Sequence, residues 1–249
     1  MDQKADGLGK AGGIRLYVNE DLGAGQDVEL SREQSHYLFG VMRRALGDGV
    51  RVFNGRDGEW QASVAKAGKS GVLKLVERTR EQVTLPDIQL LFAPVKKART
   101  DFIIEKAVEL GVSRISPVFT EFTNSERIRP DRMEKIAIEA AEQSEGLNIP
   151  RIDEGMKLVR ALDQVEAGRK IVVLNETETG VGTLSILSGL SMPVALLVGP
   201  EGGFSPAELK DLEGRDQVVS ISLGPRILRA DTAVVAGLTL IQSGLGDWI

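Results

Sequence analysis

Five short apolar runs in the last two thirds of the chain constrain its fold more than any other feature. Runs of this length and composition are typical of strands buried on both faces of a parallel sheet. The segments between them contain helices, and the clearest helix is predicted at residues 131–145 from an apolar stripe of helical period. The runs occupy residues 88–93, 115–119, 171–175, 194–198 and 218–223. The sequence therefore predicts an α/β fold with a mostly parallel sheet and helices on both faces.

A glycine-rich loop, Gly199-Pro-Glu-Gly-Gly203, follows the fourth run. Its three glycines can adopt positive φ and let a ligand approach the backbone closely. Ser205 and Glu208 form a capping box around Pro206, so a helix is predicted to begin there. The glycine spacing matches neither the dinucleotide-binding motif nor the P-loop. The loop indicates either a ligand held against backbone amides or an ordinary tight turn.

A second loop follows the fifth run and carries two arginines. Gly224 and Pro225 turn the chain, Arg226 and Arg229 follow, and an apolar helix is predicted from about Ala230 onwards. The three-residue spacing near a helix start places both guanidinium groups on one side. Surface ion pairs are the simple explanation. An anionic ligand is the alternative, because cations near a helix N-terminus are otherwise electrostatically unfavourable.

Together the two loops resemble the paired signature of the RsmE family, the small-subunit rRNA uridine-N3 methyltransferases of the SPOUT class. The loops read Gly199-Pro-Glu-Gly-Gly-Phe-Ser205 and Leu223-Gly-Pro-Arg-Ile-Leu-Arg-Ala-Asp-Thr-Ala233. Further similar segments begin at His36, at Lys96 and at Glu142, in the order found in that family. The resemblance extends over roughly residues 14–245. A basic residue that the family commonly has soon after Glu142-Gln-Ser144 is replaced here by Glu145-Gly146.

The resemblance implies a domain organisation that agrees with the residue patterns. Short β-type runs before Leu85 are separated by turns, and Ser31 caps a helix predicted to continue to about Ala45. Phe53 and Trp60 lie on such runs and are core residues or, alternatively, base-stacking residues. We expect a disordered tail at 1–13, a small PUA-like RNA-binding β-barrel domain at 14–85, and a SPOUT methyltransferase domain with a trefoil knot at 86–249.

Composition excludes several kinds of chemistry. The chain has no cysteine, which rules out thiolate metal sites, iron–sulfur clusters and the thiol nucleophile of pyrimidine-C5 methylation. With His36 as the single histidine, we expect no metal site and no serine–histidine triad, and we expect a structural or RNA-contacting role for His36. No apolar run is long enough to cross a bilayer, so we expect a cytoplasmic protein without membrane contact.

The implied reaction transfers a methyl group from S-adenosylmethionine to N3 of a uridine in 16S rRNA of the small ribosomal subunit. Uracil N3 carries a proton, so the enzyme must favour the anionic base, and a guanidinium stabilises that anion. We expect Arg226, Arg229 and Glu201 to be the catalytic residues. Arginine stays protonated, so the proton acceptor is Glu201, Asp231 or solvent.

Further residues are carried over from the resemblance by position. The residues expected to bind the cofactor are Leu174, Asn175, Gly199, Pro200, Glu201, Gly202, Gly203, Ser222, Leu223, Gly224, Ile227, Leu228 and Arg229. The net charge of −5 does not indicate RNA binding, so local basic clusters must provide it. The residues expected to contact RNA are Arg43, Arg44, Lys96, Lys97, Arg99, Arg127 and Arg129. A homodimer is also implied, because in the SPOUT class the cofactor pocket lies at the dimer interface.

Three other functions are compatible with parts of the sequence. A SPOUT enzyme acting on another RNA or on a ribose 2′-O position is the nearest, although the N-terminal domain and residues 226–233 argue against it. A noncatalytic RNA-binding protein with a vestigial pocket is the second. A nucleotide hydrolase is the third, and the chain lacks the phosphate-binding lysine motif that it requires.

Overall fold

The computed structural model describes residues 13–124, 128–175 and 182–248. The chain divides into two compact units. The N-terminal unit comprises Met1–Thr84 together with Ala141–Asn148, and the C-terminal unit comprises Leu85–Ala140 and Ile149–Ile249. The first unit therefore includes a short segment that lies far from it in the sequence.

The N-terminal unit is built on a five-stranded sheet in the order β1-β3-β4-β5-β2. Strand β1 pairs parallel with β3, and the other neighbours pair antiparallel. Apolar side chains that alternate along the strands form a single core cluster. The elements are β1 (Arg15–Tyr17), β2 (Asp27–Glu29), α1 (Arg32–Ser35), a π-helical segment (His36–Val41), β3 (Gly49–Phe53), β4 (Glu59–Lys66) and β5 (Val72–Arg80).

The helix predicted from Ser31 to about Ala45 is shorter and less regular in the structure. The predicted capping box of Ser31 and Gln34 is confirmed, but α-helical geometry ends after one turn and continues as the π-helical segment. Arg43 then adopts a φ of 53°, which no helix continues through. The core interpretation of Phe53 is confirmed by its complete burial. Trp60 also packs on the core, and its indole nitrogen donates to the carbonyl of Asp57 at 3.0 Å.

A buried ion pair organises the N-terminal unit around Arg15. Its Nε lies 2.6 Å from Oε2 of Glu59, and both side chains are 1% exposed. The same guanidinium donates to the carbonyl oxygens of Ala141, Glu142 and Gly146 at 2.6, 3.1 and 2.8 Å. It also lies 4.4 Å from the centre of the Phe53 ring. One buried side chain thus ties residues 141–148 to the sheet.

The C-terminal unit has a seven-stranded sheet in which every described pairing is parallel. The strand order is β12-β10-β11-β6-β7-β8, with β9 pairing to β7. The elements are β6 (Ile88–Phe92), α2 (Lys97–Glu109), β7 (Arg114–Phe119), α3 (Pro130–Gln143, whose last turn belongs to the N-terminal unit), β8 (Arg151–Ile152), β9 (Met156–Lys157), α4 (Leu158–Asp163), β10 (Lys170–Leu174), α5 (Thr183–Ser188), β11 (Val194–Val198), α6 (Pro206–Glu213), β12 (Val218–Ile221) and α7 (Ala230–Leu245). The five predicted strands are confirmed.

Strand order determines which loops meet. Strand β10 lies between β11 and β12, so the chain segments that leave Leu174, Val198 and Ile221 emerge side by side. Ligands of parallel sheets bind at this carboxyl edge. Helix α7 packs closely there, because a Cβ at Gly237 would lie 2.9 Å from the side chain of Leu196.

Candidate functional site

A pocket opens at the carboxyl ends of β10, β11 and β12. It contains about 840 Å³ of empty space, counting the part open to solvent. Every residue expected to bind the cofactor lines the pocket except Ser222 and Arg229. Val198, Phe204, Leu209, Ala230 and Ala233 also line it, and they were not among the residues expected to bind the cofactor.

The first glycine loop forms one wall of the pocket. The amide of Gly203 donates to the carbonyl of Pro200 at 2.9 Å, and its φ of 69° favours glycine. A Cβ at Gly199 would lie 3.1 Å from the Phe204 ring. The predicted capping box is confirmed, since the Ser205 amide donates to Glu208 Oε2 at 2.8 Å and the Glu208 amide donates to Ser205 Oγ at 3.3 Å.

The loop after β7 supports this wall from outside. The amide of Glu121 donates to Glu208 Oε1 at 2.9 Å, so one carboxylate holds both the start of α6 and this neighbouring loop. Phe122 lies against the backbone of Gly202, where a Cβ would be 3.2 Å from the Phe122 Cβ. Glu208 was predicted only as a helix cap, and its second contact crosses 87 residues of sequence.

The second loop forms the opposite wall and is held by hydroxyl groups. Thr183 Oγ1 donates to the carbonyl of Ser222 at 2.5 Å, and the amide of Gly224 donates to Ser222 Oγ at 3.3 Å. Gly224 has a φ of 101°, a conformation that other residues rarely adopt. Ser222 therefore stabilises the loop from the side away from the pocket, which explains why it does not line the pocket.

The two arginines of this loop occupy different positions. Arg226 lines the pocket and is exposed, whereas Arg229 is the N-cap residue of α7 and does not line it. The prediction that both guanidinium groups share one side by helical spacing is wrong, because the chain is extended at Arg229 and the helix begins only at Ala230. Neither arginine has an ion pair with a residue that the structure describes.

Glu201 is already paired. Its Oε1 accepts a hydrogen bond from Arg99 Nη1 at 3.1 Å, with both side chains partly exposed. The residue expected to be catalytic and a residue expected to contact RNA are therefore in direct contact. Such a half-exposed pair is weak and can be exchanged for another partner.

The other basic residues of the C-terminal unit differ in how they are paired. Lys96 and Lys97 are exposed at the start of α2 and have no ion pair with any described residue. Arg129 binds Asp131, and this hydrogen bond raises the pKa of the Arg129 guanidinium. Arg127 lies outside the described residues.

Arg43 and Arg44 belong to the N-terminal unit. Arg43 is exposed, directly after the π-helical segment, and its positive φ follows from its position at the end of that segment. The amide of Arg44 donates to the carbonyl of Leu38 at 2.9 Å, which closes this turn.

Within the described ranges, no group of three or more acidic or histidine side chains is arranged to hold a metal ion. None of the helices described is long and apolar enough to cross a membrane.

Two domain families match the chain. Residues 82–242 match the RNA methyltransferase domain family, and residues 30–77 match the RNA methyltransferase PUA domain family. The ribosomal RNA small subunit methyltransferase E of Rickettsia conorii is 34% identical over 233 residues, covering 92% of this chain and 94% of the relative. The protein of the same name from Bacillus subtilis is 31% identical, covering 86% and 88%.

Solved structures of similar proteins agree with these matches. The ribosomal RNA small subunit methyltransferase E of Neisseria gonorrhoeae, bound to S-adenosyl methionine, is 26% identical with a TM-score of 0.83, covering 95% of this chain and 99% of that one. A putative methyltransferase of Legionella pneumophila, in complex with the same cofactor, is 28% identical with a TM-score of 0.84, covering 94% and 98%.

The parallel sheet, the loops at its carboxyl edge and the matching domains define an RNA methyltransferase of the SPOUT class with a PUA-like N-terminal domain. This confirms the fold class predicted from the sequence. The chain belongs to the ribosomal RNA small subunit methyltransferase E family.

Proposed function

We propose that this protein transfers the methyl group of S-adenosylmethionine to N3 of a uridine in the 16S rRNA of the small ribosomal subunit. The observation that carries the proposal is the convergence of two glycine loops and the end of β10 on one pocket, with Arg226 in its wall. The family of the chain supports methylation of small-subunit rRNA. The choice of uracil N3 rests on the resemblance of the two loops and on the chemistry of the site. We expect the protein to act in the cytoplasm, since ribosomal RNA is the proposed substrate.

The pocket has the properties that S-adenosylmethionine requires. Leu223, Leu228 and Ala233 provide apolar surface for a planar base, and the glycines leave backbone groups accessible. Gly203 and Gly224 both have positive φ, so larger residues are strained there regardless of the space available. The cofactor bound in the two similar structures also supports this assignment.

Bound S-adenosylmethionine supplies an electrophilic methyl group, and the residues of the chain prepare the base that accepts it. Removing the N3 proton leaves an anion on uracil, and a guanidinium beside the anion lowers its free energy. Arg226 is the better placed of the two candidates, because it lines the pocket. We assign Arg229 the secondary role of favouring negative charge near the start of α7.

Glu201 is the acceptor that we propose for the N3 proton. It lines the pocket, whereas Asp231 does not. Arg99 holds the Glu201 carboxylate at the pocket wall. Because a phosphate of RNA competes for the same guanidinium, substrate binding is expected to release this carboxylate for proton transfer.

RNA binding is assigned to both units. In the C-terminal unit, Lys96 and Lys97 are exposed cations at the start of α2, and Arg99, Arg127 and Arg129 complete the predicted set. In the N-terminal unit, Arg43 and Arg44 are the predicted contacts. Phosphate contacts of this kind position an RNA without reading its sequence.

The first test is direct identification of the modified nucleoside. The purified protein, incubated with small ribosomal subunits and S-adenosylmethionine, is expected to produce 3-methyluridine, detected by mass spectrometry of digested rRNA. Subunits from cells that lack this protein are the substrate, because their site is unmethylated. A 2′-O-methylated nucleoside would instead favour the alternative reaction, and absence of any methylated product would contradict the proposal.

Gly202→Val is expected to weaken S-adenosylmethionine binding by about 5- to 150-fold. The new side chain meets Phe122, and overpacking of this kind costs roughly 1–3 kcal/mol, which here displaces the loop from its binding conformation. Calorimetric titration measures the change. Gly214→Val at the end of α6 is the control, since its Cβ has only ordinary contacts, and equal affinity for both variants would rule out this function for the loop.

We also propose that the protein is a homodimer. Leu184 on α5 and Ile227 in the second loop are 70% and 77% exposed, and Thr183 connects the start of α5 to that loop. Exposed large apolar residues beside a functional site commonly mark an interface.

Leu184→Asp is expected to convert the dimer to a monomer, because it places an unpaired charge in the interface. Light scattering should then give the mass of one chain, 26.9 kDa, in place of two. Val159→Asp on α4 introduces the same charge at another exposed apolar position and should remain dimeric. A monomeric wild type would exclude the assignment.

A further inference from the structure

A second cavity lies in the N-terminal unit, apart from the residues of the cofactor pocket. It is a groove between the helical segment 32–40 and the turn 68–69 that connects β4 to β5. It contains about 860 Å³ of empty space, counting the part open to solvent. Arg32, His36, Phe39 and Lys69 line it, and no acidic residue does.

The groove is held open by two glycines. Gly71 lies so close to the Phe39 ring that any Cβ there would clash with it, and the Gly71 amide donates to Ser35 Oγ at 3.1 Å. A Cβ at Gly40 would lie 3.0 Å from His36 Nδ1, so glycine allows the imidazole to lie against the helical backbone. The positions of both rings therefore depend on the backbone around them.

The basic residues of this unit differ in whether an acidic side chain neutralises them. Six basic residues outside it form ion pairs with acidic side chains: Arg15, Arg51, Arg56, Lys74, Arg78 and Arg80. Arg32 and Lys69 have no such pair with any described residue, although they lie at opposite sides of one cavity. Two unpaired cations facing the same space provide a site for an anion.

We propose that this groove binds a single-stranded segment of the RNA substrate, with a phosphate group between Arg32 and Lys69 and a neighbouring base against the His36 ring. Exposed rings beside cations are the usual combination for single strands, because every base has a face that can stack while the cations follow the backbone. The inference rests on the proposed function insofar as it takes the ligand to be RNA. The groove includes none of the basic residues predicted to contact RNA, and it takes up the RNA-contacting alternative for His36.

The first experiment measures binding of a fluorescein-labelled single-stranded RNA of about 20 nucleotides to the full chain by anisotropy, over a series of salt concentrations. The double variant Arg32→Gln/Lys69→Gln should bind at least about fivefold more weakly. The slope of log affinity against log salt should decrease by about 0.7, the contribution of one neutralised phosphate of a single strand.

The matched control is Lys66→Gln/Arg78→Gln, which removes the same charge from β4 and β5 at positions outside the groove. It should retain most of the wild-type salt slope. The proposal would be overturned if both double variants lost the same RNA affinity, or if the groove variant kept the wild-type salt slope. Absence of RNA binding by the wild type would overturn it as well.

A second variant tests the stacking contact without changing the folded core. His36→Ala should weaken RNA binding about fivefold or more, and His36→Phe should restore much of the loss because it keeps a ring. Equal weakening by both substitutions would show that no base stacks there.

Failure of this inference is distinguishable from failure of the proposed function. A wild type that binds RNA through the groove but produces no 3-methyluridine would leave the groove assigned and overturn the reaction. If the wild type methylates rRNA and the groove variant keeps full RNA affinity and salt slope, the proposed reaction stands and the groove assignment is overturned.

Discussion

Arg226→Ala is expected to lower kcat for methyl transfer by about 100- to 1,000-fold, the usual effect of removing one group that stabilises a developing anion. Arg226 lines the pocket and lies before the first turn of α7, so its removal leaves the sheet and helices intact. Affinity for S-adenosylmethionine should change little, because the glycine walls remain. Single-turnover methylation of small subunits, together with calorimetry of cofactor binding, separates the two quantities.

Arg226→Lys and Arg229→Ala serve as comparisons. Lysine keeps the charge but loses the planar guanidinium, so it should recover part of the rate. Arg229→Ala should reduce methyl transfer far more than it reduces thermal stability, although less than the change at Arg226, because Arg229 does not line the pocket. Near-wild-type turnover by Arg226→Ala would remove this residue from the mechanism.

Arg15→Met is expected to lower the free energy of unfolding of the N-terminal unit by about 3–5 kcal/mol, the usual effect of breaking a buried ion pair. Glu59 keeps more distant partners, which are the Thr79 hydroxyl at 3.2 Å, Arg51 at 3.5 Å and Arg80 at 4.0 Å. Three backbone carbonyls of residues 141–146 lose their donor as well. Urea unfolding followed by Trp60 fluorescence, in a Trp248→Phe background, reports on this unit because these are the two tryptophans of the chain.

Arg56→Ala is the matched control. It breaks an ion pair with Asp21 whose side chains are largely exposed, and such pairs contribute about 0–1 kcal/mol. If Arg15→Met lowers the free energy of unfolding no more than Arg56→Ala does, the buried ion pair does not stabilise the unit.

The strands and caps were predictable because their causes are local. The strand at 194–198 has the predicted bounds, since a fully buried parallel strand appears in the sequence as an apolar run. The two capping boxes were identified from residues three positions apart. Strands β8 and β9 have two residues each, too few to produce a pattern. The π-helical segment was missed because its residues fit an ordinary helix equally well.

The site was predictable in its two loops and not in what holds them. The loop residues were identified by resemblance to a family. Ser222 and Arg229 do not line the pocket, because a shared motif does not say which of its members face the ligand. The contacts of Arg99 with Glu201 and of Glu208 with Glu121 join segments about 90–100 residues apart. No sequence period connects such positions, and the trefoil knot likewise entered only through the resemblance.

The membership of residues 141–148 in the first unit limits how freely that domain can be exchanged between proteins. A fragment cut at the covalent boundary near Leu85 would keep Arg15 but leave behind the carbonyl groups that accept its hydrogen bonds, and would also lose the buried Leu147. A domain moved into another protein would therefore have to include residues 141–148 as well. Recombination that respects only the linear order of the gene is expected to yield an unstable module.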